Sequence, residues 1–286
     1  MLGNKICLVT GATSGIGAET ATQLARQGAT VVVIGRNAHK SAATVARIRQ
    51  QTGNAAVEYM LADLSSQQDI RRLAQEFSRK YRRLDVLVNN VGIVRMARQE
   101  SVDGTEMTFA VNHLAPFLLT NLLLDMLKAS APARVVNVSS ALHHQGKINF
   151  DDLQGKKNHN GLAAYNNSKL ANLLFTYELA RRLAGTGVTV NALHPGAVRT
   201  NLIASNGWLF KWIAQPLFDL QAISVEQGAQ TSVYLASSPE VDDVTGKYFV
   251  RCKPRASSPA SYDEAAQKRL WQVSAEMVGL PVEGEP

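Results

Sequence analysis

The chain has 286 residues, 45% of them hydrophobic, and 30 Lys and Arg against 23 Asp and Glu give it a net charge of +7. That length accommodates one large α/β domain or two smaller ones, and the composition is that of an ordinary enzyme. The basic pairs (Arg71-Arg72, Arg79-Lys80, Arg82-Arg83, Lys156-Lys157, Arg181-Arg182) are scattered and interleaved with acids, which argues against a nucleic-acid partner.

Apolar runs at 5–10 and 30–34 read as buried parallel strands, with further strands at 56–61, 85–88, 133–139, 188–193 and 247–250. Helical patterns fill the gaps, at about 16–27, 39–51, 66–81, 106–128, 164–184 and 224–236. This alternation predicts an α/β fold, a doubly wound parallel sheet of the Rossmann kind in a single domain. The main domain is expected to span residues 1–255. Residues 256–286 form a C-terminal extension with one docking helix near 262–278, anchored by Leu270, Trp271 and Met277.

The first strand runs into "TGATSGIG", where Gly11, Gly15 and Gly17 open a helix. Glycine serves where the backbone turns tightly or must approach a ligand, and a helix N-terminus offers free N–H groups to a pyrophosphate. Thr13, Ser14 and Ile16 complete that turn. Placed between a strand and a helix at the start of a βαβ unit, the pattern predicts a dinucleotide site. A turn with no ligand is the competing explanation. The second strand ends "VVVIGRN", with Gly35 where NAD sites carry an acid and Arg36 after it. A guanidinium pairs with a 2′-phosphate that a carboxylate would repel, so NADP(H) is expected over NAD(H). The opposing reading leaves Arg36 as a solvent-facing loop residue.

Tyr165 and Lys169 stand four apart at the start of the 164–184 helix, on one face. A free phenol titrates near 10, too high for proton exchange at neutral pH. A nearby ammonium, an oxidised nicotinamide and the helix N-terminus would each lower it. Reaching about 7 takes roughly 4 kcal/mol. The spacing therefore predicts a phenol tuned by the lysine to move a proton.

Taken in order, "TGATSGIG" (10–17), "ADL" (62–64), "NNVG" (89–92), "VNHL" (111–114), "NVSS" (137–140), "YNNSK" (165–169) and "HPGAVRT" (194–200) resemble the short-chain dehydrogenase/reductase family. The resemblance covers about residues 3–252. "ALHHQGKINFDDL", "SKLANLLFTYELARRL" and "GKYF" point within it to the retinol-dehydrogenase-like group. The resemblance implies Tyr165 as proton donor and acceptor, and Ser140 as the residue bonding the substrate oxygen. It implies that Lys169 holds the nicotinamide ribose and lowers the tyrosine pKa, and that Asn112 anchors a water leading from the lysine to solvent. It implies adenine contacts from Asp63 and Leu64, a wall beside the adenine ribose from Asn90, Val91 and Gly92, and a carboxamide and phosphate loop of Pro195, Gly196, Val198 and Thr200. Val91 replaces the alanine of the usual "NNAG".

No metal site is expected, since His143 and His144 are adjacent rather than one helical turn apart; a loop or pocket-lining role is expected for them, and a packing role for His113. Cys7 and Cys252 make no disulfide framework, no run reaches the roughly 20 apolar residues of a membrane span, and the first strand starts almost at Met1. A cytoplasmic protein without a transmembrane segment follows as an expectation, although many retinol dehydrogenases carry an N-terminal anchor. The resemblance implies that 1–255 is an NADP-binding catalytic domain with a substrate lid at about 200–222; "NGWLFKWIAQPLFDL" (206–220) falls in that lid region, and its aromatics suggest an apolar carbonyl or alcohol substrate such as a retinoid, steroid, quinone or aromatic ketone. The long apolar stripes of the 106–128 and 164–184 helices, which pair between subunits in this family, predict a homo-oligomer. The expected activity is hydride transfer between NADP(H) and such a substrate. The alternative is a regulator that binds NADP(H) without catalysis, which typically loses the tyrosine or lysine retained here.

Overall fold

The computed structural model describes residues 2–198 and 223–281. Seven strands are parallel: β1 (Ile6–Thr10), β2 (Thr30–Gly35), β3 (Val57–Leu61), β4 (Val86–Asn89), β5 (Ala133–Val138), β6 (Val188–His194) and β7 (Lys247–Val250). They lie in the order β3-β2-β1-β4-β5-β6-β7, and a short antiparallel strand, β8 (Lys253–Arg255), closes the edge. The strand order reverses between β1 and β4, which opens a crevice at their carboxyl ends.

Alternation along each strand supplies both faces of the sheet. Leu8, Val32, Leu87, Val135 and Val190 face one apolar cluster, while Cys7, Val9, Val31, Val33, Val86, Val88 and Val136 face another. Helices cover both sides: α1 (Gly15–Arg26), α2 (Ala38–Thr52) and α3 (Gln67–Lys80) follow the first three strands. Every predicted strand is present within a residue or two. β8 was not predicted; its three residues are all exposed and carry no alternation.

The predicted 106–128 helix is broken. It consists of a single turn, α4 (Met107–Phe109), a π-helical turn (Ala110–Leu114), α5 (Ala115–Leu122) and α6 (Leu124–Ala129). Pro116 has no N–H to give to the carbonyl four residues back, and the wider π turn falls just before it. The next long helix, α7 (Gly161–Arg182), starts three residues earlier than predicted, because the Asn160 side chain caps it by accepting the Ala163 N–H at 2.9 Å. α8 (Val225–Ser237) carries a full capping box from Ser224 and Gln227.

The C-terminal helix, α9 (Glu264–Met277), docks where predicted. Trp271 meets the rings of Phe117 and Phe175 at 5.0 and 6.0 Å, with the Arg182 guanidinium 4.2 Å from its own ring centre. Ser274 meets His113 Nε2 at 2.9 Å, and Gln267 pairs with Arg181. The C-terminal helix thus covers part of the apolar stripes of α5 and α7 from within the chain. Among the described residues no helix is long and apolar enough to cross a membrane.

Trp271→Ala, removing a half-buried ring from this aromatic cluster, is expected to cost about 2–4 kcal/mol in guanidinium unfolding. A loss below about 0.5 kcal/mol would contradict the docking.

Candidate active site

The glycine turn joins β1 to α1 at the crevice. Gly11 and Gly15 have φ of +62° and +54°, a region that L side chains rarely adopt. A Cβ at Gly11 would also stand 3.0 Å from the Val91 Cα. Gly17 serves a different purpose from ligand approach: its Cβ would meet Asn90 Nδ2 at 2.4 Å and the Gly11 carbonyl at 2.6 Å, so it lets α1 pack onto the turn. Asn90 staples the turn from β4, donating to the carbonyl of Thr10 at 2.9 Å, while its own N–H is accepted by the Thr10 hydroxyl. Ser14, the N-cap of α1, makes no side-chain cap. The first-turn N–H groups therefore lack the usual internal acceptor, as a site for a bound phosphate requires.

At the end of β2, Gly35 is enforced by packing. A Cβ there would lie 2.4 Å from Thr13 Cγ2, in the glycine turn, and 2.6 Å from Ser41 Oγ, in α2. A carboxylate cannot be carried at this position without displacing them. Arg36, next along, is exposed. Asp63 and Leu64 follow β3 at the same sheet edge, with the Asp63 carboxylate held by Ser65 N–H and Oγ at 2.9 and 2.8 Å. On the far side of the crevice, Pro195, Gly196 and Val198 follow β6; Gly196 has φ +94°. Thr200 and the 200–222 lid lie outside the described residues.

Tyr165 and Lys169 project from α7 into the centre of this edge, and both are buried, at 6% and 3% exposure. Lys169 Nζ donates to the carbonyl of Val138, at the end of β5, at 3.0 Å, and lies 5.6 Å from the Tyr165 ring centre. Ser140 stands two residues past β5, where its backbone is extended and its hydroxyl accepts the Leu142 N–H at 3.2 Å. Asn112, in the π turn, accepts from Ile93 N at 2.8 Å and donates to Ile93 O and Ser168 Oγ at 2.9 and 3.0 Å. Gly92 borders both groups: a Cβ there would lie 3.3 Å from Lys169 Nζ and 3.8 Å from Asn112 Oδ1. The four predicted catalytic residues thus converge from α7, β5 and the π turn.

The proton affinities differ from the expectation. Burial pushes the Tyr165 phenol up to about 12, and its hydrogen bond with Ser140 offsets this only in part. Burial pushes Lys169 down to about 8. Spacing along the helix predicted a lysine that, with an oxidised nicotinamide, acidifies the phenol; in the protein alone, desolvation dominates both groups. Tyr165 also sits beyond the first turn of α7, where the helix dipole is weaker. The phenol is a protonated donor at neutral pH, backed by an amine that titrates within reach of it. Histidines do not share this work: His113 is fully buried, pushed down to about 4 and bonded to Ser274. Among the described residues no group of His, Cys, Asp and Glu side chains could hold a metal ion.

The short chain dehydrogenase profile matches residues 5–207. The chain belongs to the short-chain dehydrogenase family. Within this oxidoreductase family it falls in the retinol-dehydrogenase-like group, being 45% identical to human retinol dehydrogenase 14 over 98% of this chain and 88% of that one. A Mycobacterium paratuberculosis crystal structure superposes with TM-score 0.79 at 34% identity, covering 98% and 96% of the two chains. A Pseudomonas aeruginosa RhlG/NADP active-site complex superposes with TM-score 0.69 at 30% identity, covering 87% and 94%. Short-chain dehydrogenases bind NAD(P), and the strained glycine turn, uncapped helix end and bare Gly92 in this chain fit a dinucleotide laid across the β1–β4 crevice.

Burying a lysine that would otherwise be charged carries a stability consequence. Between pH 8 and 10.5 the unfolded chain holds a proton on Lys169 that the fold has lost, so stability rises with pH across that window, and the full penalty applies below it. Lys169→Met should therefore stabilise the cofactor-free protein by about 1–3 kcal/mol at pH 7, a gain that vanishes above about pH 10.5. An equal gain at both pH values would show that Lys169 carries no buried charge.

Proposed function

We propose that this short-chain dehydrogenase transfers hydride between NADP(H) and an apolar carbonyl or alcohol, with Tyr165 as the proton donor and acceptor. The observation that carries the reading is the buried Tyr165–Lys169 pair, converging with Ser140 beside a dinucleotide crevice. When bound, the dinucleotide supplies or accepts the hydride. In reduction, the Ser140 and Tyr165 hydroxyls hold the substrate oxygen and stabilise it as negative charge develops there. Tyr165 then gives its proton, a favourable transfer because an alkoxide is far more basic than a phenolate. Lys169 restores it and is itself recharged from solvent. Oxidation follows the same path in reverse.

Preference for NADP(H) is supported by two adjacent residues: Gly35, which supplies no acid and where a side chain would have to displace Thr13 and Ser41, and the exposed Arg36, free to face a 2′-phosphate. Relatives named retinol dehydrogenases support an apolar, retinoid-like substrate.

Tyr165→Phe is expected to lower turnover of all-trans-retinal by at least about 1,000-fold, followed as NADPH consumption, with NADPH still bound. Substantial residual turnover would remove the phenol from the proton path. Arg36→Ala should weaken NADPH binding about 10- to 100-fold and leave NADH binding nearly unchanged; equal losses for the two dinucleotides would contradict the 2′-phosphate assignment.

A further inference from the structure

Ser140 opens a short 3-10 turn, Ala141–Gln145, an element whose internal hydrogen bonds are few and poorly aligned. The side chain of His143 adds a second hold on it. Nδ1 lies 2.6 Å from the carbonyl oxygen of Ser140 itself, and Nε2 lies 3.0 Å from the backbone nitrogen of Ser258, 115 residues away. A carbonyl only accepts and a peptide N–H only donates. The imidazole must therefore carry its proton on Nδ1 and its lone pair on Nε2. It is fully buried, packed on His144 at 4.0 Å and edge-on to Tyr248 at 5.0 Å. Burial pushes its pKa down to about 4, so this neutral tautomer persists at physiological pH.

The anchor at the far end is itself fixed. The carbonyl of Ser258 accepts from Ser261 N and Oγ at 2.9 and 2.6 Å. The neighbouring Ser257 hydroxyl contacts Tyr177 Oη at 2.6 Å, and Tyr177 stacks on Tyr262 at 5.4 Å. Tyr177 belongs to α7, the helix that carries Tyr165 and Lys169. A closed path thus runs from Ser140 through His143 to the Ser257–Tyr262 segment, and from there to α7 and back to Tyr165.

We propose that His143 is a positioning residue that clamps the Ser140 carbonyl to the C-terminal segment, so that the two hydroxyls facing the substrate oxygen keep their mutual geometry. This rests on the proposed roles of Ser140 and Tyr165. The C-terminal extension then supports catalysis as well as covering α5 and α7. The use of both ring nitrogens distinguishes the clamp from a packing role, which an apolar side chain of similar size would fill.

The test compares kcat and KM for all-trans-retinal, and NADPH affinity, in four full-length variants. His143→Leu keeps volume but loses both bonds, and should lower kcat about 10-fold or more with NADPH affinity within about 2-fold of wild type. His143→Asn keeps a donor at the Nδ1 position and should recover a large part of that loss. Ser258→Pro, at a backbone φ of −63° that proline adopts, removes the peptide N–H together with the Ser258 hydroxyl and brings the ring against Nε2, and should lower kcat about 3-fold or more. The double variant His143→Leu/Ser258→Pro should fall no further than His143→Leu alone. Unchanged kcat in His143→Leu, no recovery in His143→Asn, or additive losses would overturn the clamp. A nitrogen–proton correlation spectrum of the wild-type histidines reads the tautomer without turnover. Protonation of His143 at Nε2 overturns the geometry, whereas the expected Nδ1 tautomer in a protein inert toward retinal would leave the clamp standing and reject its catalytic use.

Discussion

The removal of one phenol and one ammonium from water is the constraint on which the site depends. α7 lies deep in the fold, and from Tyr165 to Ala180 all but one residue, Asn167, are buried. Desolvation raises the proton affinity of the phenol and lowers that of the amine. An ordinary tyrosine and lysine titrate within about half a unit of each other; here the phenol is the stronger base by a wide margin. A lysine poised near 8 can hand a proton to a phenolate that has just given one away, and can itself be recharged from neutral solvent. The surroundings follow from that need. The ammonium donates to the Val138 carbonyl, and the missing side chain of Gly92 lets the backbone after β4 approach it closely.

The sheet explains why these groups meet. Strand order reverses between β1 and β4, and the site residues follow the carboxyl ends of β1, β2, β3, β4, β5 and β6. The glycine turn, Gly35, Asp63, Asn90, Ser140 and Gly196 therefore share one edge, though they span most of the sequence. Two devices outside the sheet complete it. The π turn before Pro116 holds the Asn112 amide against Ile93 and Ser168. The C-terminal segment covers α5 and α7 and reaches the loop that carries Ser140.

Much of this was legible in the sequence because the strongest signals are local. Buried parallel strands read as unbroken apolar runs, and the glycine turn, Ser140, Tyr165 and Lys169 stand in short motifs with fixed spacing. What was missed is set by packing at a distance. The π turn differs from an α-helix by a fraction of a residue per turn, which apolar periodicity cannot resolve. The need for glycine at 35 comes from Thr13 in the glycine turn and Ser41 in α2, and is invisible in "VIGRN". The raised proton affinity of the phenol in the cofactor-free protein was not legible, because i, i+4 spacing shows that a cation is near but not that both groups are dry. The double use of His143 depends on Ser258, which no local pattern connects to it.

The most direct measurement is the titration of the Lys169 ammonium in the cofactor-free protein, followed by NMR of reductively 13C-methylated lysines and assigned by its loss in Lys169→Met. The account predicts a single lysine titrating near pH 8, well below the others. A Lys169 resonance that titrates with the surface lysines near 10.5 would contradict it, because the pair would then be solvated and the proton path would lose its physical basis.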